Sequence, residues 1–131
     1  MSDPADVVYL ELDEVLTHAY LAIGNDPQVR DLGLLQSALE RPATTVFGAD
    51  AYPSVTDKAA ALMDSIVNNH PLVDGNKRLA WFTAVLFLEL NGYRVPADVD
   101  AQYAFVLAVA AGEISGVPDI AAGLTSFAVP A

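Results

Sequence analysis

The chain has 131 residues, 53% hydrophobic and 18% charged, which suits one globular domain around a single apolar core. Seventeen acidic residues against six Lys and Arg give a formal charge of −11, which argues against gripping nucleic acid with a broad basic face and makes every cation conspicuous. Without Cys there is no disulfide framework or thiolate chemistry, in keeping with a cytoplasmic protein, and two His without HExxH spacing do not suggest zinc.

The opening stretch MSDPADVVYLELDE lacks the basic start and apolar run of a secretory leader. Leu12 to Ile23 carries apolar residues at Leu12, Val15, Leu16, Ala19, Tyr20 and Ile23, which is helical spacing, and Gly24-Asn25 closes it. A second helix is expected from Asp31 to Arg41, with Asp31 as N-cap and Pro42 as terminator. Ala43 to Pro53 then combines the β-prone run Thr44 to Phe47 with a turn-forming Gly48. That predicts a short extended flap, although an ordinary surface loop with two aromatic anchors fits the same residues.

Ser54 to Asn69 reads as a third helix, with Ser54 as N-cap and Asp57 as a capping-box-like partner. Pro71 should stop it at or just before His70. Leu79 to Leu90, LAWFTAVLFLEL, is apolar nearly all round, which predicts a buried central helix with Trp81 in the core. The run is too short to cross a bilayer, which takes about 20 residues. Asn91-Gly92 ends it, and two further helices are expected from about Asp98 to Ala111 and from about Val117 to Phe127. The pattern is that of an all-α domain without repeats or linkers.

Between the third and fourth helices lies HPLVDGNKR, His70 to Arg78. Asp74-Gly75 is a turn dipeptide. Lys77 and Arg78, two of the six cations, sit in the first turn of a helix, where the macrodipole repels positive charge by about 0.3–1 kcal/mol each. An anion is therefore expected at that end. Backbone N–H groups opened by Gly75 make a phosphate cradle, and Lys77 and Arg78 add charge-assisted contacts. Asp74 can hold Mg²⁺, a hard ion that favours carboxylate and phosphate oxygens. His70 is suited to take a proton from a hydroxyl nucleophile near neutral pH, and Asn76 can orient the loop or a phosphate oxygen. A plainer account is an Asx-capped turn, a histidine at a helix C-terminus and a solvated cation pair. It covers each residue singly but not the convergence of scarce cations at the wrong end of a helix. His18, inside the first helix, reads as a packing or surface residue.

HPLVDGNKR resembles the signature HPFx(D/E)GN(G/K)R of the Fic/Doc superfamily, with Leu72 where the family has Phe. RDLGLLQSALERP (Arg30 to Pro42), FLELNGYRV (Phe87 to Val95) and AAGEIS (Ala110 to Ser115) resemble segments of its death-on-curing (Doc) branch. The AMP-transferring Fic branch places Gly after the Asn and a second Arg three residues past the first, and here those positions hold Lys77 and Trp81. The resemblance implies a Fic/Doc helical bundle of about six helices around a buried central helix, with a flap between the second and third that pairs with the target.

It further implies a toxin of a type II toxin–antitoxin pair, acting as a protein kinase. The acceptor of its ATP γ-phosphate would be a threonine of a translation factor, elongation factor Tu, so that translation stops. His70 would then be the general base and Asp74 the Mg²⁺ ligand. Gly75 and Asn76 would shape the phosphate cradle, and Lys77 and Arg78 would bind phosphate, with Lys77 forcing an inverted nucleotide. No Glu is followed by Gly or Asn, so the self-inhibitory (S/T)xxxE(G/N) motif is absent and restraint is expected from an antitoxin encoded beside the toxin. DNA would be contacted only through that antitoxin, and no membrane is involved. The alternatives are a Fic-type AMP transferase, or a catalytically weak relative acting mainly as antitoxin partner and co-repressor.

Overall fold

The computed structural model describes residues 6–131, so the first five residues of the opening stretch lie outside it. Six helices follow one another: α1 (Leu12–Ile23), α2 (Leu32–Glu40), α3 (Val55–Asn69), α4 (Asn76–Leu90), α5 (Val99–Ala110) and α6 (Val117–Phe127). Side-chain caps begin three of them. Asp31 accepts the Leu34 N–H at 3.0 Å, Ser54 accepts that of Asp57 at 3.0 Å, and Asp98 accepts that of Ala101 at 3.4 Å. α1 ends on Gly24, whose φ of 91° is left-handed and costs glycine little. α2 ends at Glu40, just ahead of Pro42, as expected. The chain tightens into a 3-10 turn, Arg41–Ala43, whose first positions tolerate a proline.

The helical bundle is as expected, but its most enclosed member is α3 rather than the apolar α4. Ten residues of α3 are buried against six of α4, and α3 packs on α2, α4, α5 and α6. The apolar run misled because α4 keeps Trp81, Phe82 and Leu86 half-buried, while α3 fills the interior with Ala59, Ala60 and Ala61 and hides a charge, Lys58. Trp81 sits edge-on to Phe127 of α6 at 5.9 Å and to Phe105 of α5 at 6.2 Å. Gly123 makes room for this cluster, since a Cβ there would lie 2.2 Å from the Phe105 ring.

Two short antiparallel strand pairs complete the fold. β1 (Thr45–Val46) pairs with β2 (Ala49–Asp50), with Thr45 opposite Asp50 and Val46 opposite Ala49, and forms the expected flap. Its two-residue turn, Phe47-Gly48, has positive φ at both positions, 52° and 80°, as the twist of a tight hairpin requires. The second pair joins β3 (Tyr93–Arg94) to β4 (Val129–Pro130). The sequence gives no sign of it, because two-residue strands far apart in sequence carry no readable period.

Two cations fasten the root of the flap. Lys58 is fully buried, and its Nζ donates to Asp50 Oδ2 at 3.2 Å and to the Tyr52 carbonyl. Arg41 donates to the Tyr52 hydroxyl at 2.9 Å, to Asp64 Oδ2 at 2.8 Å and to Ser65 Oγ at 3.0 Å. Burial works to lower the proton affinity of Arg41, and its bonds to Asp64 and Tyr52 more than reverse this. No helix among the described residues is long and apolar enough to cross a membrane.

Candidate active site

The segment joining α3 to α4 is held from both sides. His70 caps α3 in the left-handed region, at φ 49° and ψ 63°, and its N–H reaches the Ile66 carbonyl at 3.2 Å. Leu72 points into the core with 1% exposure, so it anchors the loop on the apolar interior. Asn76 clamps the same residue, its Oδ1 accepting the Leu72 N–H at 2.9 Å and its Nδ2 donating to the Leu72 carbonyl at 3.0 Å. Of the two roles open to this amide, orienting the loop is the one the geometry displays.

From the opposite side the α1–α2 connection pairs with the loop. The Arg30 and Asp31 N–H groups both donate to the Pro71 carbonyl, at 2.8 and 3.0 Å, and the Val73 N–H donates to the Gln28 carbonyl at 2.9 Å. An isolated antiparallel bridge joins Val29 to Leu72.

Gly75 opens α4 with φ 87° and no side-chain cap. The Asp74 carboxylate folds back to accept the Gly75 N–H at 2.9 Å. The first helical bond of α4 runs from the Leu79 N–H to the Gly75 carbonyl at 2.9 Å, so the N–H groups of Asn76, Lys77 and Arg78 have no acceptor within the helix. Such a terminus attracts anions. Glycine is needed at residue 75 for space as well as for its φ, because a Cβ there would lie 3.1 Å from Ile23 Cγ2.

The scarce cations now separate. Arg78 donates from Nη1 to the Ile23 carbonyl at 3.1 Å, so it lies at the C-terminal, electronegative end of α1 and that helix offsets part of the macrodipole penalty. Lys77, by contrast, is exposed and has no ion-pair or hydrogen-bond partner among the described residues. The His70 ring is likewise exposed and without a partner among them.

All six residues singled out in the sequence, His70, Asp74, Gly75, Asn76, Lys77 and Arg78, line one cleft of about 870 Å³. That volume falls within the range of small-ligand sites. Further walls come from Ile23 at the end of α1, from Asn25, Asp26 and Gln28 after it, from Val67 and Val73, and from Ala110 of α5. In the sequence Gly24-Asn25 reads only as a helix stop and Arg30 carries no role, yet Asn25 lines the cleft and Arg30 bonds to the Asn69 and His70 carbonyls beside it. The scarcity of cations, six Lys and Arg in all, is the signal that could have pointed to Arg30. His18 is exposed on α1 and does not line the cleft.

The model of the Fic/DOC family matches residues 8–88, which span α1 to most of α4 and include the whole loop. The chain belongs to the Fic/DOC family. It is also 47% identical over 124 residues to a curated protein named Toxin Doc from Mycolicibacterium smegmatis, an alignment covering 94% of this chain and 95% of that one. The loop and every cleft wall but Ala110 fall within the matched span.

Proposed function

We propose that this Fic/DOC protein is the toxin of a type II toxin–antitoxin pair and a kinase that moves the γ-phosphate of ATP to a threonine hydroxyl of elongation factor Tu, arresting translation in the cytoplasm. The observation that carries the reading is Lys77, an unpaired cation beside three open N–H groups at the start of α4, in a cleft that also holds His70. Where AMP-transferring relatives have glycine, a lysine side chain takes up space and places charge. Both favour a nucleotide lying with its terminal phosphate toward the acceptor.

On this reading His70 takes the proton from the acceptor hydroxyl, the oxygen attacks the γ-phosphorus, and the bond to the β-phosphate oxygen breaks to release ADP. Lys77, Arg78 and the open N–H groups stabilise the charge that spreads over the phosphoryl oxygens, which is where most of the rate of such transfers arises. Asp74 suits a magnesium ion, because its exposed carboxylate keeps acceptor capacity beyond the Gly75 N–H. The described residues hold no group of three or more acidic, His or Cys side chains around a common point, so such an ion would lean on Asp74 and on nucleotide phosphates. When bound it would neutralise phosphate charge. The flap, with its outer edge and Phe47 exposed, suits capture of an extended acceptor segment by strand pairing.

The relative named Toxin Doc supports a cognate antitoxin as restraint. On this reading DNA is met only through that partner. The test supplies elongation factor Tu with ATP labelled at the α- or the γ-phosphate and weighs the product. Transfer of the γ-label with the mass of one phosphate is expected. Transfer of the α-label with the mass of AMP would replace the kinase by a Fic-type transferase. No transfer by wild type would leave a partner and co-repressor role for this acceptor.

A further inference from the structure

We infer that Arg30 is a positioning residue for His70, fixing the direction of the imidazole by holding both peptide planes that flank it. This rests on His70 acting as the base. Among the described residues only Phe47 and His70 have positive φ without being glycine. Phe47 is at an exposed hairpin tip, where the turn demands it. His70 precedes a proline, and a residue in that place ordinarily adopts extended geometry. Its left-handed conformation is favoured by the cap bond of its own N–H to Ile66, and against the following proline it needs a second hold from outside.

The imposing group is one rigid guanidinium. Arg30 Nη2 donates to the Asn69 carbonyl at 2.8 Å and Nε donates to the His70 carbonyl at 2.8 Å. These two carbonyls belong to the peptide planes before and after the His70 Cα, and the relative orientation of those planes is set by its φ and ψ. A planar fork bonded to both fixes the two dihedrals together, and with them the Cα–Cβ vector that aims the ring into the cleft. The next carbonyl, that of Pro71, is held by the Arg30 and Asp31 N–H groups, so three consecutive carbonyls are anchored to one short segment. A lysine could supply charge at the end of α3 but not a two-plane clamp.

The experiment compares Arg30→Ala and Arg30→Lys with wild type, reading transfer kinetics, thermal stability and the ¹³Cα and ¹³Cβ shifts of His70, which report its φ and ψ without any turnover. Arg30→Ala is expected to lower kcat by about 10- to 100-fold, since misplacing a reacting group by about 1 Å costs that order. KM for ATP should change less than about twofold, because the phosphate cradle lies on α4. The His70 shifts should leave their left-handed values. Arg30→Lys should recover melting temperature, as a cation at a helix C-terminus does, yet leave kcat low and the shifts displaced.

Full recovery of kcat by lysine would overturn the inference by reducing Arg30 to a cap. Unchanged His70 shifts in Arg30→Ala would also overturn it, whatever happens to the rate. If wild type transfers no group to the acceptor, the functional reading falls instead, and the shifts alone decide whether Arg30 holds His70.

Discussion

The two irregular segments at the ends of α3 are built in opposite ways. The loop after it, His70 to Gly75, is fastened through its middle, with Leu72 clamped by Asn76 and the Pro71 carbonyl held by Arg30 and Asp31. The flap before it is fastened only at its root, by Lys58 and Arg41, and its tip carries a fully exposed Phe47. Both segments contain a non-glycine residue at positive φ. In the loop every neighbour works to keep that residue in place. In the flap the strain sits at a bare turn with an open strand edge beside it. On the proposed function the difference in fastening follows a division of labour, since proton transfer needs a fixed geometry whereas capture of a chain needs an accessible edge.

The contrast breaks first at the chemistry. His70→Ala should cut group transfer by at least about 100-fold, the usual contribution of a general base, while leaving the melting temperature near wild type because the ring is exposed. Kinetics and a thermal melt on the same sample check both halves. Next comes the root of the flap. Asp50→Ala leaves the buried Lys58 ammonium with the Tyr52 carbonyl as its remaining contact, and should destabilise the fold by about 3 kcal/mol in urea unfolding.

Asn76→Ala strips the clamp from the buried Leu72 backbone and should cost about 2 kcal/mol by the same method, with a fall in transfer rate that a mere surface turn would not produce. The smallest effect has the opposite sign. Phe47→Asn puts a residue that tolerates positive φ at the flap tip and should stabilise the protein by about 1 kcal/mol. Weakened binding of the acceptor by the same variant, seen as a higher KM, would sharpen the view that the flap tip is kept for contact.

Much of this was legible in one dimension. Ser54 and Asp31 announced helix starts because a short polar side chain can reach an N–H three residues on, and Gly24 announced a stop because it alone adopts φ 91° at little cost. The nine residues from His70 to Arg78 declared the site because its chemistry is compressed into a single loop and one helix turn. Local hydrogen bonding and local charge are properties of neighbours in sequence, and the sequence by itself determined them.

Only the tertiary structure decided the rest. That a cation could lie buried within α3 depended on Lys58 meeting Asp50, which is on a different element. Arg78 proved tied to α1 and Lys77 not, a distinction invisible in two adjacent cations. The clamp of Arg30 on His70 spans forty residues, and its bonds form only when the α1–α2 connection pairs with the loop. Contacts between distant segments carry no period or spacing along the chain, so they become readable only once packing has brought the segments together.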